Sequence, residues 1–185
     1  MLAGPAKHPV TKNKVTVKNV SILLLLVMSC SFLHAQQTPP DQAPYLRFPT
    51  VPPFQILKVD SATYYTKEDL KKHHRTLIMY FSPECDHCKH QTQDMLESID
   101  KLKEVEIVMA TYQPFLEMKQ FYNYYRIADH PNIKMGRDEK YVLQPFYRIR
   151  NLPYLALYDS KGNLITTFEG NQKMDKILAA FDIKK

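Results

Sequence analysis

The feature that most constrains this chain is a cysteine pair set between an apolar run and an amphipathic stretch. Thr76-Leu77-Ile78-Met79-Tyr80-Phe81 is a continuous run rich in strand formers, which is typical of a central strand buried on both faces. Cys85 and Cys88 follow almost at once, and apolar residues then recur at helical spacing, namely Met95, Leu96, Ile99 and Leu102. This pattern predicts a buried strand, a tight turn and a helix that carries both cysteines at its start.

The rest of the chain predicts alternating strands and helices. Further strands are expected at 54–59, 105–110, 154–158 and 164–169, and further helices at 66–74, 114–125, 140–147 and 174–181. The last two strands flank a turn that contains Gly162, so they predict an antiparallel hairpin. This order predicts a layered α/β domain with a mixed sheet and helices on its faces.

The placement of the two cysteines predicts thiol chemistry. A thiolate is the reactive form of cysteine, and the free amides at a helix N-terminus favour negative charge. A spacing of two residues lets both sulfurs close one small ring across the first helical turn. We therefore assign Cys85 as the nucleophile and Cys88 as the resolving thiol.

Charged neighbours are expected to tune this pair. The imidazole of His87 favours a thiolate at Cys85, whereas Glu84 and Asp86 oppose it by like-charge repulsion. Because these influences have opposite signs, the residues do not set the redox potential by themselves.

Two other uses of the cysteine pair stay open from the sequence. The pair could form a purely structural disulfide, or half of a metal site completed by histidines from the set His73, His74, His87 and His90. A structural zinc site takes four protein ligands, and the chain has neither a second C-x-x-C nor an H-x₃₋₅-H element. We therefore expect no metal, and no cofactor other than the redox-active Cys85–Cys88 disulfide.

The first 35 residues predict a secretory signal peptide. A basic stretch precedes an apolar run from Val20 to Leu33, which is 14 residues long, whereas a membrane-spanning helix needs about 20. Cleavage is expected after Ala35. Lipidation of Cys30 or an uncleaved anchor are alternatives, which would tether the protein to a membrane. Each of the three places the domain outside the cytoplasm, and cleavage would release it into the periplasm.

The remainder of the chain, after the leader of residues 1–35, divides into two parts and carries little net charge. Residues 36–53 are rich in proline and predict an extended linker, and residues 54–185 predict the domain. The leader holds four of the 25 basic residues and none of the 19 acidic ones, so the remaining chain is close to neutral. A nucleic-acid partner is not expected from this balance.

The combined motifs resemble the thioredoxin superfamily over residues 53–183. The resemblance is carried by the strand to Phe81, Cys85-Asp86-His87-Cys88, Leu152-Pro153-Tyr154 and the hairpin with Gly162 and Gly170. The 65 positions from Cys88 to Pro153 are similar to the extracytoplasmic TlpA/ResA-like branch. That branch carries an insertion before the cis-proline strand, which residues 128–150 would supply.

The resemblance implies a thioredoxin fold and a set of site residues. Pro153 is expected to be cis, which would place the Leu152 backbone beside the cysteines to pair with a substrate strand, and Tyr154 is expected to shape the substrate groove. The expected partners are protein substrates with cysteines or disulfides, and an upstream thiol electron donor.

Three positions depart from the family pattern. Met79 stands where thioredoxin has a buried acid, Glu84 where a tryptophan commonly precedes the first cysteine, and Gln91 where some relatives have an acid. These departures bear on the efficiency and direction of the reaction.

The resulting functional hypothesis is a thiol–disulfide oxidoreductase that reduces extracytoplasmic proteins. The same chemistry run backward would oxidise them. A redox-inactive binding module or a copper chaperone is the alternative from another class. A peroxidase would need a threonine or serine and an arginine around one cysteine, for which Thr111 and Arg148 are the candidates.

Overall fold

The computed structural model describes Met1, Gly4 and residues 42–183, and its centre is a seven-stranded mixed sheet. The strands are β1 (Gln55–Lys58), β2 (Tyr64–Thr66), β3 (Arg75–Tyr80), β4 (Val105–Thr111), β5 (Ile133–Arg137), β6 (Tyr154–Tyr158) and β7 (Leu164–Glu169). Their order across the sheet is β2-β1-β5-β4-β3-β6-β7. The predicted signal peptide, its cleavage site and Cys30 lie outside the described residues.

The directions of the strands decide which strand ends lie at the same edge of the sheet. The central strands β3, β4 and β5 run parallel, whereas β6 lies antiparallel to β3 and pairs Tyr80 with Tyr154. Since β3 and β4 are almost wholly buried, their continuous apolar runs are those of strands covered on both faces.

Helices cover both faces of the sheet. They are α1 (Pro44–Arg47), α2 (Asp86–Glu97), α3 (Phe115–Tyr124), α4 (Leu143–Tyr147) and α5 (Met174–Ala180). α2, α3 and α5 pack on one face around a core that includes Cys88, Met95 and Phe121. α1 and α4 lie on the other face, over a core rich in tyrosine that includes Tyr80, Tyr147 and Tyr158. No helix among the described residues is long and apolar enough to cross a lipid bilayer.

The α/β fold class predicted from the sequence is confirmed, but some elements differ. The predicted helix at 66–74 is a single 3-10 turn, Lys67–Asp69, although Asp69 accepts hydrogen bonds from the Thr66 amide and hydroxyl at 2.8 and 2.9 Å. Residues 71–73 are exposed, so no buried face stabilises a longer helix. The predicted helix at 140–147 contains α4 only.

The last residues of the predicted linker pack onto the domain. Residues 44–47 form α1, and Val51 is buried in the tyrosine-rich core. An isolated bridge joins Thr50 to Asn163 in the hairpin turn. The apolar Val51 side chain and the bridge therefore hold this stretch against the sheet.

Strand β5 was missed because its sequence, with one glycine and two basic residues, is a poor strand signal. Gly136 pairs with Lys58 of β1. A Cβ atom built on Gly136 would lie 2.7 Å from the Leu57 carbonyl oxygen and 3.0 Å from the Ile56 Cβ. The absence of a side chain is what allows β1 to approach this closely.

We expect Gly136→Ala to lower the free energy of unfolding by about 1–3 kcal/mol, because the new methyl group must push β1 away. The measurement is the urea unfolding curve. The matched control is Lys134→Ala on the same strand, which is expected to change the free energy by less than about 0.5 kcal/mol. An unchanged midpoint in Gly136→Ala would show that β1 and β5 do not need this close contact.

Candidate active site

The cysteine turn lies at the carboxyl end of β3. Ser82, Pro83 and Glu84 turn the chain, and Cys85 is the N-cap of α2. Its Sγ accepts a hydrogen bond from the Cys88 amide at 3.2 Å, which satisfies one of the free amides of the first turn. The sulfur therefore sits where the helix N-terminus stabilises negative charge.

The two sulfurs occupy different environments. Both cysteines are free thiols, Cys85 half-buried and Cys88 fully buried. Burial, reinforced by the hydrogen bond with Cys85, raises the pKa of the Cys88 thiol well above its usual range. Cys85 is thus the accessible sulfur and Cys88 the sheltered, protonated one.

The loop before β6 faces the cysteines. The Leu152–Pro153 peptide bond is cis, and the Cys85 thiol lies 3.9 Å from the Leu152 carbonyl oxygen, to which it donates. This contact follows from the antiparallel pairing of β3 with β6, which brings the start of β6 to the end of β3. Leu152 and Pro153 therefore lie where the resemblance placed them.

Tyr154 does not lie where the sequence analysis expected it to act. Its side chain is only 2% exposed and packs in the tyrosine-rich core, with its ring centroid 5.0 Å from that of Tyr147. A side chain that follows Pro153 by one position points to the sheet face opposite the α2 core. The expectation that the Tyr154 ring shapes a substrate groove is therefore wrong.

The tuning residues are all exposed, and the sequence analysis missed their partner. Glu84, Asp86 and His87 lie on the surface around Cys85, and the Lys89 ammonium binds Asp86 at 3.0 Å. This hydrogen bond and charge hold the pKa of the Asp86 carboxyl below its usual range. Lys89 thus offsets part of the negative charge beside Cys85, and its i,i+3 spacing from Asp86 was the signal available in the sequence.

The positions that depart from the family pattern are buried. Met79 is fully buried in the same core as Cys88. Gln91 is also buried, and its Oε1 accepts a hydrogen bond from the Gln172 amide at 2.7 Å. Gln91 therefore ties α2 to the segment before α5.

The histidines of the metal hypothesis lie in two places, and two of them, His87 and His90, are on α2 beside the cysteines. His73 and His74 precede β3, at the opposite end of the strand from the cysteines, and His74 contacts Glu104 at 3.9 Å. Residues 42–183 contain no group of three or more metal-ligating side chains. Thr111 is buried, and its Oγ1 accepts a hydrogen bond from the Gln113 amide, whereas Arg148 is an exposed residue after α4.

A groove of about 460 Å³ opens beside the cysteine turn. We call it the α3 groove. It is formed by the turn before Cys85, the first turn of α2 and the outer face of α3, and its lining residues are Pro83, Glu84, Lys89, Glu117, Gln120, Phe121, Tyr124 and Tyr125. The sequence analysis missed it because its two walls are about 30 residues apart in the chain.

The comparisons with known proteins agree with this geometry. The Thioredoxin-like family model matches residues 74–164, which include the cysteine turn and the Pro153 loop. No curated protein sequence matches the chain.

Solved structures with the same fold are distant in sequence. A secreted disulfide oxidoreductase of Mycobacterium tuberculosis, homologous to Escherichia coli DsbE, is 15% identical with a TM-score of 0.58, over 69% of this chain and 92% of that one. The exposed lipoprotein thioredoxin Etrx1 of Streptococcus pneumoniae is 22% identical with a TM-score of 0.55, over 69% and 96%. ScoI of Arabidopsis thaliana with copper bound is 15% identical with a TM-score of 0.54, over 69% and 92%.

The sheet order, the cysteine turn capped on α2 and the facing Pro153 loop therefore make up a thioredoxin fold, in which residues 74–164 form a Thioredoxin-like domain.

Proposed function

We propose that this protein is a thiol–disulfide oxidoreductase that reduces disulfides of extracytoplasmic proteins through Cys85 and Cys88. The observation that carries the proposal is the pairing of an accessible sulfur at a helix N-terminus with a buried sulfur one turn deeper. This arrangement separates the attacking group from the resolving group, as a two-step exchange requires.

The first step is attack by the Cys85 thiolate on one sulfur of the substrate disulfide. The substrate S–S bond breaks, a Cys85–substrate disulfide forms and the other substrate sulfur leaves as a thiolate that takes up a proton. The Leu152 carbonyl, 3.9 Å from the Cys85 sulfur, marks the edge along which the substrate backbone would lie, as in β-augmentation.

The second step is attack by Cys88 on the Cys85 sulfur. Cys88 must lose its proton, the bond between Cys85 and the substrate breaks, and the second substrate thiolate leaves and is protonated. The protein has then given two electrons and holds a Cys85–Cys88 disulfide. An upstream thiol donor restores the dithiol, so no other cofactor is required.

Support for an extracytoplasmic setting comes from two sources. The leader has the features of a signal peptide, and similar structures include a secreted oxidoreductase and an exposed lipoprotein. We propose cleavage after Ala35 and a periplasmic protein, with lipidation of Cys30 as the membrane-tethered form.

A copper carrier is the second candidate, because the copper-bound ScoI has the same fold and thiolates suit Cu(I). We expect Cu(I) to leave the rate of Cys85 alkylation nearly unchanged, because within residues 42–183 no third metal-ligating side chain is grouped with the two cysteines to complete a site. The measurement is mass spectrometry after iodoacetamide with and without one equivalent of Cu(I). Strong protection of Cys85 would favour the carrier.

We expect Cys88→Ser to accumulate a mixed disulfide with a disulfide-bonded protein such as insulin, because Cys85 attacks but nothing resolves the adduct. Cys85→Ser is the matched control and is expected to form no adduct. Both variants should reduce insulin no faster than the dithiothreitol that supplies electrons. Non-reducing gels and mass spectrometry give the readout, and an adduct through Cys88 in the control would contradict the assigned roles.

We expect the stability of the reduced protein to fall as pH rises above about 8.5, the usual pKa of a free thiol. Burial keeps Cys88 protonated in the folded state, while the unfolded chain releases that proton, so high pH favours unfolding. The decline attributable to Cys88 is at most about 1.4 kcal/mol per pH unit.

The test compares Cys85→Ala with Cys85→Ala/Cys88→Ala by urea unfolding between about pH 8.5 and 10, a comparison in which the contribution of the tyrosines is common to both variants and cancels. The double variant should show the shallower decline. Equal slopes would mean that Cys88 is not held as a buried thiol.

A further inference from the structure

The α3 groove begins at the nucleophile. Pro83 and Glu84 line it and directly precede Cys85. A substrate segment whose cysteine meets the Cys85 sulfur would place a residue two positions away at roughly 7 Å. The groove is therefore within reach of the side chain that flanks the reacting cysteine.

The groove carries unpaired negative charge. Glu84 and Glu117 face it from opposite walls, and neither takes part in an ion pair within residues 42–183. Lys89 is the basic side chain in the lining, and its ammonium is bound to Asp86 at 3.0 Å. Lys89 also interacts electrostatically with Glu84, so Glu117 is the less compensated of the two carboxylates that can meet a ligand.

The same groove presents aromatic faces. Tyr124 is 80% exposed on the outer side of α3. Its ring lies 4.9 Å from that of Tyr125, which is held to α2 by a hydrogen bond from its hydroxyl to the Lys89 carbonyl oxygen at 3.4 Å. This rim therefore presents aromatic rings next to carboxylates.

Carboxylates and tyrosine rings in one groove together favour a cationic side chain as the ligand. An apolar occupant would desolvate two carboxylates without pairing them, and an acidic occupant would be repelled. An arginine guanidinium can stack on a tyrosine ring and pair with a carboxylate at the same time. We propose that the α3 groove binds an arginine, or a lysine in its place, that flanks the reactive cysteine of the protein substrate. The inference rests on the proposed reductase function and names its substrate class.

The experiment uses three symmetric peptide disulfides that are identical except for arginine, norleucine or glutamate two positions from the cysteine. Reduced protein converts each dimer to two peptide thiols and becomes oxidised itself. Released thiol is followed by chromatography, because the chain contains no tryptophan to report the reaction. Each second-order rate constant is divided by that of dithiothreitol with the same peptide, which removes the intrinsic effect of the flanking charge on the disulfide.

We expect the normalised rate for the arginine dimer to exceed that for the glutamate dimer by about tenfold at low salt, with norleucine between them. The ratio should shrink as salt is added. Glu117→Gln should reduce the ratio by about threefold, while Glu104→Gln, which removes a charge at the other end of the sheet, should leave it unchanged.

Three outcomes would overturn this inference: equal normalised rates, a preference for norleucine, or a ratio unaffected by Glu117→Gln. Failure of the proposed function has a different signature, since the protein would then react with none of the dimers faster than dithiothreitol does.

Discussion

The register between β3 and β6 is the constraint on which the site depends. Tyr80 lies opposite Tyr154, so the turn that leaves β3 and the loop that enters β6 meet at one edge of the sheet. A slip of one residue would move the Leu152 carbonyl by about 3.3 Å and turn every β6 side chain to the other face. The buried side chains of both strands prevent that slip, because Leu155 and Leu157 fill one core while Tyr154 and Tyr158 fill the other.

Burial of Cys88 has a kinetic consequence for the proposed reaction. The sulfur is neutral both as a thiol and in a disulfide, so desolvation disfavours only the transient thiolate that attacks Cys85. The apolar surroundings, which include Met79 in place of an acid, should therefore slow resolution more than they shift the equilibrium. The equilibrium between the dithiol and the disulfide then depends on the exposed charges around Cys85, where the charges of Lys89 and Asp86 partly cancel each other.

Local signals explain how much of the fold could be predicted. The cysteine turn, the buried runs of β3 and β4 and the β6–β7 hairpin each have a strong signal within a few residues. β5 has no such signal, because Gly136, a poor strand former, is required there by the close contact with β1. The wrong expectation for Tyr154 has a similar cause. The sequence shows that Tyr154 follows Pro153, but the sheet face to which its side chain points is set by the pairing of β6 with β3. The α3 groove was out of reach because its walls come from separate helices.

Helix α3 shows how the core and the groove can be separated. Met118 and Phe121 are buried in the core beneath α2, and Phe121 contacts Phe81 and Tyr125 with ring centroids 4.8 and 4.5 Å apart. Glu117, Gln120 and Tyr124 recur at i, i+3 and i+7, so they share the neighbouring helical face that lines the groove. Phe121 belongs to both the core and the groove, but the charged residue Glu117 lies only in the groove. The charge of the groove can therefore change without altering the packing that keeps Cys88 buried. In the proposed reaction, substrate choice and redox chemistry would thus be carried by adjacent surfaces of one helix pair.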